Sequence, residues 1–273
     1  MAKPFFSIII PTLNEAKYLP KLLTDLSEQT FKDFEVVIVD GSSTDKTVEL
    51  ATTFKSKMKL SILASTKRHV CTQRNLGANS AKAEILIFSD ADNRLPPYFL
   101  QGLKYRCESE GLDIISPLIC ATASTPQNNT IAAALNVFLE LDMSIKPRHL
   151  LESCFLINKE CFLAIGGFDE TIDYAEGNAL LARAMHLGYT AKTVKDPNYE
   201  FSFRRLKKYG TAKTISNTVR LQILDLIGIE PGNINLKKIY PMLGGKSYNT
   251  KYKIQKNKIS KFLKNISKLL KDF

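Results

Sequence analysis

Long apolar runs are missing from this chain: the longest, at residues 5–10, 36–39 and 85–88, fall far short of the roughly 18–20 needed to cross a bilayer. No membrane-spanning helix is therefore expected. The opening residues MAKPFFSIII lack the basic stretch, long apolar core and small-residue cleavage site of a secretory signal. They read as a first strand, and a cytoplasmic location is the expectation. Cysteine is scarce: Cys71, Cys107, Cys120, Cys154 and Cys161 are odd in number and never form a CxxC pair, which argues against a disulfide framework and a zinc ribbon and leaves buried thiols. The three histidines, His69, His149 and His186, show neither HxxxH nor HExxH spacing, so a histidine metal site is not expected. Acidic residues are nearly absent from the C-terminal segment: residues 203–273 hold 17 Lys and Arg against 3 Asp and Glu, whereas residues 1–202 hold 21 against 24. The formal charge of +11 is thus a property of that segment, which suits an anionic partner such as phospholipid, polyprenyl phosphate or nucleic acid.

What the chain does contain is alternation. Short β-rich runs at 5–10, 35–39, 59–63 and 84–90 are separated by helical spacings at 16–27, around Val48 to Phe54, and at 71–81, the pattern of βαβ units and a mostly parallel α/β sheet. Pro96 and Pro97 open a further helix. Beyond Asp113 the pattern is less regular, with strand-like runs at 113–119 and 154–157 and helices at 130–141, 159–165 and 177–187. Residues 203–227 read as basic helices, followed by a Gly, Pro and Asn-rich connection at 228–245. The expected division is 1–210 as one domain and 211–273 as a basic helical extension.

Ligands of open parallel sheets bind at the carboxyl ends of the strands, so the polar residues just after each strand are the place to look. The first strand is followed by Pro11-Thr12-Leu13-Asn14-Glu15, the second by Asp40-Gly41-Ser42-Ser43-Thr44-Asp45, the third by Lys67-Arg68 and Arg74, and the fourth by Asp90-Ala91-Asp92. Glu15 and Asp40 can accept hydrogen bonds from a base or ribose, although Asp40, Ser43 and Thr44 could equally serve the next helix as caps. Arg74 could be an exposed helix residue, but with Lys67 and Arg68 close by it supplies the positive charge that a diphosphate requires. Two carboxylates one residue apart repel each other, and a hard cation such as Mn²⁺ or Mg²⁺ relieves that repulsion while leaving positions for phosphate oxygens. As an isolated DxD the pair could also be two turn or capping acids.

The text SIIIPTLNEAKYLPKLLTDL (7–26), FEVVIVDGSSTDKTVELA (34–51), RNLGANSAKAEILIFSDAD (74–92), IGGFDE (165–170) and EGNALLARAMHLGY (176–189), in this order, resembles glycosyltransferase family 2 over about residues 5–210. The resemblance implies a GT-A, Rossmann-like fold and transfer of a sugar from a UDP- or GDP-sugar to a glycan or a polyprenyl-phosphate-linked acceptor. By it, Pro11, Thr12, Glu15 and Asp40 would bind the nucleotide sugar, Arg74 would help hold the diphosphate, and Asp90 and Asp92 would hold the metal, with Asp92 as the direct ligand. Gly166 to Glu170 would shape the acceptor side, or Gly166-Gly167 would simply end a helix. Many inverting members carry Glu-Asp where this chain has Glu176-Gly177, the Asp being the base. Glu176 is then the remaining base, or it is an acid favoured by a helix N-terminus, or an ionised acceptor needs no base, and a retaining outcome stays open.

Arg204 and Arg205 could close over the leaving diphosphate or belong to an ordinary basic helix. At 256–273, Ile259, Phe262, Leu263, Ile266, Leu269, Leu270 and Phe273 at helical spacing amid lysines read as a basic amphipathic helix. It would lie on an anionic membrane at its cytoplasmic face, or pack on protein. Nucleic acid is a weaker fit for the basic segment. Gly244-Gly245-Lys246-Ser247 is no ATPase phosphate loop, because Ile239 stands where the first glycine is required. A nucleotidyltransferase would need a Gly-rich, Lys-containing loop after the first strand, which PTLNEAKYL does not supply. A degraded homologue that binds nucleotide sugar or membrane as a partner subunit is the reading that Gly177 favours.

Overall fold

A computed structural model describes residues 3–121, 125–145, 147–172 and 175–204, apart from the side chain of Gln127. Lys3 to Ser202 fall in one compact unit, whereas Phe203 and Arg204 belong to a second whose other residues lie outside the described set. Arg205, the expected domain boundary at 210, the basic helices, the 228–245 connection and the amphipathic segment 256–273 all lie outside it.

Four apolar runs become β1 (Phe6–Thr12), β2 (Phe34–Asp40), β3 (Leu60–Ala64) and β4 (Ile85–Ser89), joined by α1 (Leu19–Ser27), α2 (Thr47–Thr52) with a 3-10 turn at Thr53–Ser56, and α3 (Val70–Ser80). After β4 come α4 (Phe99–Glu110), β5 (Ile114–Ala121), α5 (Pro126–Ile145), β6 (Cys154–Asn158), α6 (Lys159–Ala164), α7 (Glu176–His186) and β7 (Ala191–Phe201). The seven strands form one mixed sheet in the order β3-β2-β1-β4-β6-β5-β7. Only β6 runs against the others, pairing antiparallel with both β4 and β5. This is the mostly parallel α/β architecture that the alternation predicts.

All seven residues of β1 and all seven of β2 are buried, as expected of central parallel strands covered on both faces. Gly77 on α3 lies against Ile9 and Val39, so the helix rests close on the sheet. An aromatic group of Phe88, Phe155, Phe162 and Phe168, with centroid distances of 5.1–6.1 Å, fills the core between β4, β6 and α6. Among the described residues no helix is long and apolar enough to cross a membrane.

Several boundaries differ from the sequence expectation for local reasons. α1 begins at Leu19 rather than Ala16, after a turn at 16–18 in which the Glu15 carbonyl accepts the Tyr18 and Leu19 amides. α5 spans 20 residues, longer than its apolar spacing indicates. β7 was not legible at all: AKTVKDPNYEF is polar and contains Pro197, which a strand tolerates at the sheet edge that β7 occupies.

Candidate active site

In the strand order β2-β1-β4, the chain reverses its direction of travel across the sheet between β1 and β4. Such a switch point opens a crevice outside the carboxyl ends of the strands. Thr12 pairs with Asp40 in the β1–β2 register, so the ends of these two strands lie side by side. Asp40 is 6% exposed and braces the loop that follows it. One carboxylate oxygen accepts the Ser43 amide at 2.8 Å, and the other accepts the Thr12 hydroxyl at 3.2 Å and the Ser43 hydroxyl at 2.5 Å. The Ser43 hydroxyl also accepts the Asn14 amide at 2.8 Å, which ties the β1 loop to the β2 loop. The first turn of α2 is served by Asp45, which accepts the Thr47 amide at 3.0 Å, so Asp40 is not the cap of that helix. Gln73 from α3 donates to the carbonyls of Thr12 and Val39 at 2.9 and 2.7 Å and closes the floor.

Among the described residues, three non-glycine residues hold left-handed backbone: Asn14 (φ 56°), Ser42 (φ 65°) and Ala175 (φ 54°). Each lies next to, or two residues from, an expected site residue, namely Glu15, Asp40 and Glu176. Such conformations cost on the order of 1 kcal/mol or more each and persist where the surrounding structure enforces them. Glu15 is 5% exposed and Pro11 is buried within β1.

The centre of the site is Arg74, 3% exposed on α3. One guanidinium nitrogen donates to Glu176 at 2.9 Å, and the other donates to Asp90 and to the Glu152 carbonyl, each at 3.2 Å. The N–H on Nε has no hydrogen-bond acceptor among the described residues, and the guanidinium packs over the Phe168 ring at 5.2 Å. Burial opposes the arginine's charge, but Asp90, Glu176 and Glu152 together raise its pKa above the ordinary value. Arg74 therefore joins two carboxylates from opposite sides of the crevice.

Glu176 opens α7 and is 6% exposed. Beside it lies Glu152, in the segment before β6, whose carboxyl accepts the Gly177 amide at 2.7 Å. Burial, then the neighbouring Glu176, push the Glu152 acid well above the usual carboxylate range, against the lowering effect of Arg74. The same environment raises the Cys71 thiol to about 12, burial being the main cause and Glu176 the next, so this cysteine is no thiolate.

Asp90 follows β4 directly. Its amide donates to the Ser153 carbonyl at 2.8 Å, and Asn93 donates to the same carbonyl at 2.5 Å. The Asp90-Ala91-Asp92 turn is thereby fixed against the start of β6. Both aspartates are partly exposed at the strand end, and among the described residues no third His, Cys, Asp or Glu joins them as a metal-binding group. A pair of hard carboxylate oxygens with open positions fits a divalent cation that completes its shell with phosphate oxygens and water.

The structure thus brings Pro11, Thr12, Glu15, Asp40, Arg74, Asp90, Asp92 and Glu176 to one edge. Lys67 pairs instead with Glu170 at 3.4 Å and Arg68 donates to the Ser42 carbonyl, away from the Arg74 cluster. Arg204 belongs to the second unit and Arg205 is outside the described residues. Gly166 and Gly167 are left-handed (φ 76° and 67°) and end α6, their amides donating to Leu163 and Phe162. Asn75 holds the Phe168 that follows, donating to its carbonyl and accepting its amide, both at 2.9 Å. Sequence reasoning missed Glu152, Ser153 and Asn93. The rule of looking after each strand cannot find Glu152 and Ser153, because β6 is antiparallel and its beginning, not its end, lies at this edge.

An α/β sheet with carboxylates gathered at its switch point has its ligand-binding edge there. The chain belongs to glycosyl transferase family 2, whose model matches residues 7–154, more than half of its length. It is 44% identical over 97 residues to a PGL/p-HBAD biosynthesis glycosyltransferase of Mycobacterium bovis, covering 35% of this chain and 38% of that protein. It is 23% identical over 244 residues to the poly(ribitol-phosphate) beta-N-acetylglucosaminyltransferase TarS of Staphylococcus aureus, covering 86% of this chain and 42% of TarS. The chain thus spans well under half the length of these relatives. Among solved structures, S. aureus TarS 1–349 superimposes with a TM-score of 0.58 at 21% identity, covering 78% of this chain and 64% of that one. The mannosyltransferase PcManGT from Pyrobaculum calidifontis, in complex with GDP-Man and Mn²⁺, gives a TM-score of 0.61 at 21% identity, covering 74% and 57%. These likenesses establish the GT-A fold.

Proposed function

We propose that the chain is a metal-dependent, inverting glycosyltransferase that moves a hexose or N-acetylhexosamine from a UDP- or GDP-sugar to a glycan or lipid-linked acceptor at the cytoplasmic face of a membrane. The observation that carries this reading is the convergence of Asp40, the Asp90–Asp92 pair and Glu176 on the carboxyl edge of β1, β2 and β4. It is supported by the solved relatives, among which TarS is complexed with UDP and with UDP-GlcNAc, and PcManGT with GDP-Man and Mn²⁺.

In this reading Thr12, Glu15 and the braced Asp40 loop receive the nucleoside. Asp92 and Asp90 would hold Mn²⁺ or Mg²⁺, which would supply positive charge to the departing diphosphate. Arg74 acts one step back from the diphosphate: its ion pairs hold Asp90 toward the donor and Glu176 toward the acceptor. Glu176, held by that arginine at 2.9 Å, takes the proton of the attacking hydroxyl. The basic segment 203–273 is attracted to anionic lipid and brings the site to a lipid-linked acceptor.

The test is release of UDP or GDP from UDP-glucose, UDP-GlcNAc and GDP-mannose with and without Mn²⁺. Release from one of them that needs the metal and falls sharply in Glu176→Gln is the expected result. No release from any donor would sink the proposal.

A further inference from the structure

Gly177 has no conformational reason to be glycine. It lies inside the first turn of α7, it is not among the residues with positive φ, and glycine is disfavoured in helices. Its reason is steric. A Cβ built there would stand 3.1 Å from the Glu152 Oε1 and 3.2 Å from its Cδ, and closer still to its Cγ. The space above Gly177 is already filled by the Glu152 side chain, which also accepts the amide of the same residue at 2.7 Å. Position 152 and position 177 can supply that space with one side chain between them, and here it is a carboxyl group.

The rest of Glu152 is tied to the same centre. Its carbonyl accepts the Arg74 guanidinium at 3.2 Å while Arg74 donates to Glu176 at 2.9 Å, and its carboxyl accepts the amide of the residue after Glu176, so Glu152 adjoins that ion pair from both sides. A carboxyl group beside a carboxylate is tolerated only when one of the two carries a proton and donates it as a hydrogen bond. With Arg74 facing Glu176, the proton belongs on Glu152, in line with the upward push that burial and Glu176 give that acid.

We propose that Glu152 is a positioning residue for acceptor activation: its carboxyl fills the space left by Gly177 and, with Arg74, fixes the orientation of Glu176. The inference rests on the proposed function, since it takes Glu176 as the base. It also accounts for the missing acid at position 177, because the carboxyl group at this spot comes from the segment before β6 instead of from α7.

The test is a cycle of Glu152→Ala, Glu152→Gln, Gly177→Asp and the double variant Glu152→Ala/Gly177→Asp, read by nucleoside diphosphate release from the donor that the unaltered chain accepts. Glu152→Ala should lower kcat by roughly tenfold or more, within the range of general-base effects, with the donor KM unchanged. Glu152→Gln keeps both a donor for Glu176 and an acceptor for the Gly177 amide, and should recover most of the rate that alanine loses. Gly177→Asp alone should lose rate and melting temperature through its clash with Glu152, and the double variant should regain both. An unchanged kcat in Glu152→Ala, or equal losses in the alanine and glutamine variants, would overturn the positioning role. Gly177→Ala adds a readout that needs no substrate: it should lower the melting temperature when Glu152 is present and much less when Glu152 is alanine. Equal losses in both backgrounds would overturn the pairing. Failure of the unaltered chain to release any nucleoside diphosphate would instead count against the proposed function.

Discussion

Replacing Arg74 with methionine removes the charge at the centre of the site while keeping a flexible apolar chain against the Phe168 ring. The change strands Glu176, whose side chain is 7% exposed, beside Glu152 with no opposite charge. Breaking a buried pair from one side costs about 3–5 kcal/mol. The second ion pair adds little, since the Asp90 side chain is 37% exposed and pairs of that kind are worth at most about 1 kcal/mol. Against a typical total of about 5–15 kcal/mol the loss is large, and for a unit of this size it corresponds to a melting temperature lower by roughly 6–20 °C. Urea unfolding followed by circular dichroism, at unchanged m-value, reads the difference directly. The same substitution made in Glu176→Gln should cost less by about 0.5–3 kcal/mol, because the stranded charge is then gone. A loss below about 1 kcal/mol, or strict additivity of the two changes, would refute the view that Arg74 and Glu176 form a buried, mutually dependent pair.

The raised Glu152 acid has a pH consequence of definite sign. The native state keeps a proton that the unfolded chain gives up near the ordinary value of 4.5, so stability from this group is complete at low pH and declines as pH rises toward the folded value. Glu152→Gln removes the decline, and its melting temperature relative to the unaltered protein should climb as pH rises above the ordinary value of 4.5. A difference constant with pH would contradict this. Asp40→Ala leaves the Ser43 amide and hydroxyl without their acceptor and the Thr12 hydroxyl with only the Val39 carbonyl at 3.5 Å. It should cost about 1–3 kcal/mol in thermal unfolding and weaken UDP or GDP binding measured by titration calorimetry. Gly77→Ala puts a methyl 2.5 Å from an Ile9 methyl and 3.1 Å from a Val39 methyl. It should destabilise by about 1–3 kcal/mol without changing nucleotide affinity, which a melting curve and the same calorimetry would separate.

The half of the site proposed to receive the donor is legible in the sequence because β1, β2 and β4 are continuous apolar runs that stop at polar residues. Asp40 and Asp90 stand at those stops, and the parallel sheet brings the stops to one edge. The half proposed to face the acceptor is less legible. Glu152 precedes a strand instead of following one, and only the reversed direction of β6 brings it to the same edge. Arg74 was readable as a cation near the diphosphate, but its burial and its two carboxylate partners depend on contacts with residues 90 and 176, which no local spacing encodes. The strand β7 escaped notice for a different reason: at the rim of the sheet its residues need not alternate cleanly, and Asp196-Pro197 interrupts the pattern.

The most direct test of the account measures nucleoside diphosphate binding through the melting temperature, with UDP and GDP added separately in the presence and absence of Mn²⁺. One of the two should raise the melting temperature of the unaltered chain only when Mn²⁺ is present, and Asp92→Ala should abolish that increment while its metal-free melting curve stays close to that of the unaltered chain. An increment that survives Asp92→Ala, or that neither nucleotide produces, would contradict the assignment of this sheet edge as the donor and metal site.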